Sequence, residues 1–214
     1  MDHPVTDDRY DEDYFMRGKE SGKSLYENYR WLPDLTIPMV EKITEHLGVE
    51  LDDTIVDFGC ARGYTVRALE ELDFEYAYGV DVSEWAIKNC DKAVKGRVGL
   101  QWPDVDVDWI FAKDVLEHIP TPTLQITIDT FAARARKGFF IVVPLATPLG
   151  KYEVPEYEED VTHVIRWTMH DWVETILHSL DHTWEISARY RLKGVKDNYA
   201  QFSRGNAFIT CRKV

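Results

Sequence analysis

The sequence predicts an α/β fold built on a doubly wound, mostly parallel sheet, and three observations carry that expectation. Short apolar runs alternate with amphipathic stretches between residues 35 and 143. One run, Thr54-Ile-Val-Asp-Phe-Gly-Cys-Ala-Arg-Gly-Tyr64, ends in a glycine-bearing turn that opens a helix. After Pro144 the alternation stops, and the chain closes on two apolar segments with no helix between them.

Each element follows from its own pattern. Residues 10–32 are irregular but aromatic-rich (Tyr10, Tyr14, Phe15, Tyr26, Tyr29, Trp31), too apolar for a free tail, so they read as an N-terminal cap on the domain. Leu35, Met39, Val40, Ile43 and Leu47 fall at helical spacing, with Gly48 as the stop. Pro38 fits such a helix only in its first turn. Strands are expected over 54–58, 75–81, 97–100, 108–113 and 139–143. Helices are expected over about 63–72, from the Ser83 cap to about 94, and from Thr121 to a stop at Gly138. These strands, joined by helices, make a parallel sheet with right-handed crossovers. A loop over about 144–167 is long enough to be functional. Thr168 and Asp171 resemble a capping box ahead of a helix bearing Trp172, Val173, Ile176, Leu177 and Leu180. Segments 184–192 and 207–211 suit an antiparallel hairpin added to the sheet. The domain plan is an acidic, aromatic-rich cap over 1–32 and a single domain over 33–214.

Composition narrows the function. A chain of 214 residues suits one α/β domain with a substantial core. Its net charge of −13, from 25 bases and 38 acids, repels a phosphate backbone, and no Lys/Arg cluster stands out in sequence. A small or neutral substrate is therefore expected, not nucleic acid. No apolar run reaches the roughly 18–20 residues of a membrane span. The acidic opening Met1-Asp-His-Pro-Val-Thr-Asp-Asp does not read as a secretory signal. Cys60, Cys90 and Cys211 have no metal-type spacing and fit a reduced, cytoplasmic compartment. Residues 1–9 are acidic enough to read as a solvated tail.

The turn after the first strand decides the ligand. A dinucleotide site wants Gly-x-Gly-x-x-Gly, because pyrophosphate lies directly on the amides. Here the run is Asp57-Phe-Gly59-Cys-Ala61-Arg-Gly63, with Ala61 at the middle position. Asp81 ends the second strand, where a carboxylate can accept both ribose hydroxyl hydrogens. Ser21-Gly22-Lys23-Ser24 is not a P-loop: position 17 is arginine, and no buried strand precedes it.

Asp57-x-Gly59-x-Ala61-x-Gly63 resembles motif I of the class I S-adenosylmethionine-dependent methyltransferases. The segment Asp114-Val-Leu-Glu117-His118-Ile-Pro120 at the fourth strand resembles what many of them carry there. The resemblance covers roughly residues 33–143. It implies a Rossmann-like, seven-stranded sheet whose last strand is antiparallel. It also implies S-adenosyl-L-methionine as cofactor, with S-adenosyl-L-homocysteine as product. The donor would be held by Asp57, Gly59, Ala61, Gly63, Asp81, Val82, Gln101, Trp102 and Lys113. Gln101 stands where the family often has Asp or Asn for the adenine amino group. Trp102 and Trp85 are candidates for packing on the ring.

Methyl transfer from a sulfonium is an in-line displacement, so a protein mainly positions the acceptor and, for oxygen, removes its proton. His118, His163 and Asp114 are the candidate catalytic residues. A metal is not expected. The alternative is a divalent ion on Asp114, Glu117, His118 and His163, resembling the metal site of some O-methyltransferases. The expected activity is methylation of oxygen or nitrogen on a small molecule, a sugar or related metabolite among the candidates. The alternatives are a non-catalytic S-adenosylmethionine-binding protein and a nicotinamide-dependent oxidoreductase.

Overall fold

The computed structural model describes residues 6–214. Positions 1–5 of the expected acidic tail lie outside the described residues. Asp7 is tied down, its N–H donating to the Val82 carbonyl at 3.1 Å. The chain divides into two compact units, Met1–Val105 and Asp106–Val214.

The first unit holds α1 (Glu12–Met16), α2 (Gly18–Ser21), α3 (Pro33–Leu47), β1 (Ile55–Phe58), α4 (Tyr64–Glu71), β2 (Ala77–Val80), α5 (Glu84–Lys88) and β3 (Val98–Gly99). Its strands run parallel in the order β3-β2-β1. The cap is helical, with Asp11 accepting the Tyr14 N–H at the start of α1. α3 buries Val40, Ile43 and Leu47 on one face and stops at Gly48, as expected. Pro38 does not lie in its first turn, because Pro33 opens the helix. An interior proline forgoes one backbone bond, and the buried face compensates. α5 also ends early, at Lys88 instead of about 94. Asn89 stops it, and Asp91 then caps a 3₁₀ turn over Lys92–Val94 by accepting the Ala93 N–H at 3.0 Å.

The second unit holds β4 (Val107–Lys113), α6 (Thr121–Arg134), β5 (Ala135–Pro144), α7 (Met169–Leu177), β6 (Trp184–Arg189) and β7 (Asn206–Lys213). Its order is β4-β5-β7-β6, with β4 and β5 parallel and β7 antiparallel to both neighbours. The Thr168–Asp171 capping box forms in full. The expected stop at Gly138 is wrong: strand pairing begins at Ala135 and runs through Gly138. A Cβ at Gly138 would stand 2.4 Å from the Cys211 carbonyl oxygen and 2.7 Å from Trp109. Glycine therefore serves sheet packing here and not a helix end.

The long connection after β5 is tied back on itself. The Ala146 N–H donates to the Trp167 carbonyl at 2.8 Å, and the Tyr152 hydroxyl to the Ile165 carbonyl at 2.6 Å. The fold class is the expected Rossmann-like seven-stranded sheet, mostly parallel, with antiparallel C-terminal strands.

Candidate active site

In the first unit, β1 delivers Asp57 to a tight turn. Gly59, Ala61 and Gly63 all have positive φ, at 78°, 48° and 80°. The N–H groups of Gly59 and Cys60 both donate to the Val80 carbonyl, at 2.8 and 3.1 Å, which ties the turn to β2. Gly63 is required twice over: its φ is left-handed, and a Cβ there would stand 2.7 Å from the Val94 side chain. Ala61 carries a Cβ in the same region of φ, at a cost of about 1 kcal/mol. Its N–H is held by Asp81 Oδ2 at 2.7 Å. Asp81 Oδ1 accepts the Ser83 N–H at 2.8 Å. Each carboxylate oxygen retains a second lone pair, which suits the two hydroxyls of a ribose. Burial raises the Asp81 pKa, and the backbone donors pull it partly back. The turn and Asp81 therefore fit the donor that the motif implies.

The cap packs on this turn. The Ser83 hydroxyl donates to the Tyr10 carbonyl. The Arg62 guanidinium donates to the Tyr29 carbonyl at 3.0 Å and the Asn89 carbonyl at 2.7 Å. Tyr14 and Phe15 are buried with Ala86, and Tyr26, Tyr29, Ala61 and Trp85 pack around them. Phe15 stacks on Trp85, centroids 5.6 Å apart and planes at 14°. Trp85, a candidate for packing on adenine, is thus engaged by the cap. Trp102 lies half-buried against Phe58 at 5.7 Å, Gln101 is exposed, and Val82 is half-buried.

In the second unit, the chain leaves β4 through Lys113 into Asp114, which has a left-handed φ of 55°. The ammonium groups of Lys113 and Lys196 each stand 2.5 Å from an Asp114 oxygen. Burial alone would raise the Asp114 pKa, yet the two cations hold it well below the usual carboxylate range. Lys196 also reaches the Tyr157 hydroxyl at 3.2 Å and Asn206 Oδ1 at 3.1 Å.

Glu117 follows, 1% exposed, and its Oε2 is buried with no hydrogen-bond partner among the described residues. Burial, then the Asp114 charge, push its pKa well above the ordinary value. Its carbonyl accepts from Val164 and Ile165, which seats the loop bearing His163. Glu117 Oε1 is 3.9 Å from His163 Nε2. His163 Nδ1 lies 2.8 Å from the Tyr157 carbonyl, so Nδ1 carries the hydrogen and Nε2 the lone pair. His118 Nδ1 lies 2.7 Å from the Thr162 hydroxyl, which donates to Asp160 at 2.5 Å. That assigns His118 the same tautomer. The two rings are 4.6 Å apart. Burial, then His163, bring the His118 pKa down to about 4, and burial lowers that of His163. Both imidazoles are neutral at neutral pH.

Ligand-capable atoms of Glu117, His118 and His163 all lie within 4.8 Å of one another. Asp114, the fourth residue of the alternative metal set, is not in that cluster, because both its oxygens face lysines. Sequence reading missed Lys196, Asp160 and Thr162. Thr162 adjoins His163 in the chain, so its proximity was available as a signal; Lys196 offered none.

The family model for a methyltransferase domain matches residues 33–189. No curated protein matches the chain in sequence. Among solved structures, magnesium protoporphyrin IX methyltransferase from Synechocystis PCC 6803 with bound S-adenosylmethionine is 14% identical at a TM-score of 0.62, covering 100% of each chain. A SAM-dependent methyltransferase from Archaeoglobus fulgidus is 17% identical at 0.61, covering 85% of this chain and 95% of its own. A chain of the Pnkp1/Rnl/Hen1 RNA repair complex is 15% identical at 0.57, covering 82% of this chain and 41% of its own. These likenesses are to the fold. The family match spans most of the sequence and contains the motif I turn, Asp81 and the Asp114–His118 segment, and this chain accordingly belongs to the methyltransferase domain family, within the class I S-adenosylmethionine-dependent methyltransferases.

Proposed function

We propose that the enzyme methylates an oxygen or nitrogen of a small molecule, a sugar or related metabolite being one candidate, and that His163 or His118 takes the acceptor proton. The observation that carries this reading is the pair of neutral imidazoles, each oriented through Nδ1 so that Nε2 is the basic nitrogen. S-adenosylmethionine supplies the methyl group already activated on a sulfonium. Asp81 would hold the ribose, the Asp57–Gly63 turn the amino-acid tail, and Val82, Gln101 and Trp102 the adenine; the Lys113 ammonium is engaged by Asp114. Asp114, clamped by two ammonium groups, is a weak base; we assign it to anchoring the turn that carries Glu117 and His118.

A second reading is favoured by the buried, unpartnered Glu117 Oε2 beside the two imidazoles. Glu117, His118 and His163 would bind a divalent cation, which would ionise Glu117 and lower the pKa of an acceptor oxygen. Activity indifferent to a chelator and to added magnesium would rule it out.

The acceptor is tested by incubating the enzyme with labelled S-adenosylmethionine and separated metabolite and RNA fractions. Label is expected in the small-molecule fraction. Label in RNA alone would overturn the acceptor class, and calorimetric binding of NAD without S-adenosylmethionine would overturn the donor.

A further inference from the structure

A short basic run passed over in the sequence, Arg189-Tyr-Arg191-Leu-Lys193-Gly-Val-Lys196, is joined by Arg204 in the fold. Arg189 ends β6, Tyr190 and Arg191 follow it, and the chain returns through Ser203 and Arg204 into β7. These five residues line a surface pocket of about 520 Å³. Antiparallel pairing of β6 with β7, which sets Arg189 opposite Phe208, brings the two ends of the connection together. The Arg204 guanidinium lies 5.7 Å from the centroid of the Tyr190 ring. Neither Arg189 nor Arg204 forms an ion pair with a carboxylate among the described residues. Two arginines without a carboxylate partner among the described residues, Arg189 and Arg204, thus line one pocket of a chain whose net charge is −13. Like charges at close range repel one another unless an anion lies among them.

The same connection also carries Lys196, the ammonium that grips Asp114. It leaves and rejoins the sheet at the edge where β5 ends, Pro144 pairing with Asn206. The arginine pocket therefore shares a sheet edge, and a backbone segment, with the Asp114 anchor.

We infer that this pocket is an anion subsite that takes the phosphate of a phosphate-bearing small-molecule acceptor. The inference rests on the small-molecule reading above and narrows its substrate class. Guanidinium forks match phosphoryl oxygens in pairs, and the Ser203 hydroxyl adds a further donor. The two positive charges of Arg189 and Arg204 exceed what one carboxylate, with a single charge, can neutralise. A phosphate monoester offers three terminal oxygens and close to two charges.

The test is calorimetric titration of the intact protein and of an Arg189→Gln, Arg204→Gln double variant with a hexose 6-phosphate, the parent hexose, inorganic phosphate, citrate, a short single-stranded RNA and S-adenosylmethionine. Both substitutions lie at exposed positions, so the variant is expected to fold. The hexose phosphate should bind at least about tenfold more tightly than the hexose, with inorganic phosphate competing for the same site. The double variant should lose about tenfold or more of that affinity while binding S-adenosylmethionine unchanged. Phosphate binding that is absent, or that the variant retains, would overturn the subsite. Citrate binding more tightly than the phosphates would overturn its phosphate preference. RNA binding more tightly than the monoester, and lost in the variant, would overturn the small-molecule occupant. Failure of the intact protein to bind S-adenosylmethionine would strike the donor reading instead, leaving the phosphate result to stand by itself.

Discussion

Lys196 Nζ stands 2.5 Å from Asp114 Oδ1, across 82 positions of sequence, and fastens the connection between β6 and β7 to the turn behind β4. The pair is largely shielded, with side chains 17% and 24% exposed, so removing one partner leaves the other poorly solvated. Asp114→Asn should destabilise the protein by about 3 kcal/mol in urea denaturation. Lys196→Met should cost less, because Lys113 still neutralises Asp114. The Asp114 pKa is depressed in the folded state, so its contribution is present above the unfolded value of about 3.9 and is lost as pH falls below it. Asp114→Asn should therefore lose less stability than the parent on going below about pH 4. Identical acid limbs would mean the pair is not formed in solution.

Asp81 holds the turn with the same two oxygens that we propose for the ribose. Asp81→Asn keeps the shape but replaces one acceptor oxygen by an NH₂ group. That group would face the N–H of Ala61 or of Ser83. Affinity for S-adenosylmethionine should drop at least about tenfold, or roughly 1.4 kcal/mol, in a calorimetric titration. Undiminished binding would remove Asp81 from the donor site.

Ala61 is strained in a way that can be relieved or worsened. Ala61→Gly accepts φ of 48° without a Cβ and should stabilise the fold by about 0.5 kcal/mol, the relief being partly offset by the entropy of glycine in the unfolded chain. Ala61→Val adds a β-branch at the same φ and should destabilise by about 1–2 kcal/mol. Thermal or urea melts of the two variants should move in opposite directions.

Arg62 clips the cap to the turn through the Tyr29 and Asn89 carbonyls. Arg62→Ala leaves both acceptors without this donor. Amide exchange across residues 26–30 should speed up about tenfold, while exchange in β4 and β5 stays unchanged. An equal rise everywhere would mean that global unfolding, and not release of the cap, had been measured.

The turn proposed to hold the donor was legible as a turn in the sequence because its parts are local. Asp57, Gly59, Ala61 and Gly63 belong to one strand and one turn, and Asp81 ends the next strand. Besides the start of α3, two element boundaries were misread, and for one shared reason. At Gly138 and at Asn89 the local pattern permitted more helix, and contacts distant in sequence decided otherwise. Gly138 lies against Cys211 and Trp109 in the sheet, and Asp91, just beyond Asn89, pairs with Arg67 at 2.8 Å.

By itself the sequence determined the fold class, the methyl-donor motif and the residues Asp114, Glu117, His118 and His163 as the polar set to watch. Only the tertiary structure decided how that set is divided. Asp114 goes to Lys113 and Lys196, while Glu117 gathers the two imidazoles. It also decided that Arg204 joins Arg189 and Arg191 at one pocket. Backbone periodicity is written over a few neighbouring residues, whereas a charge finds its partner only after the strands pair and bring distant loops to one edge of the sheet.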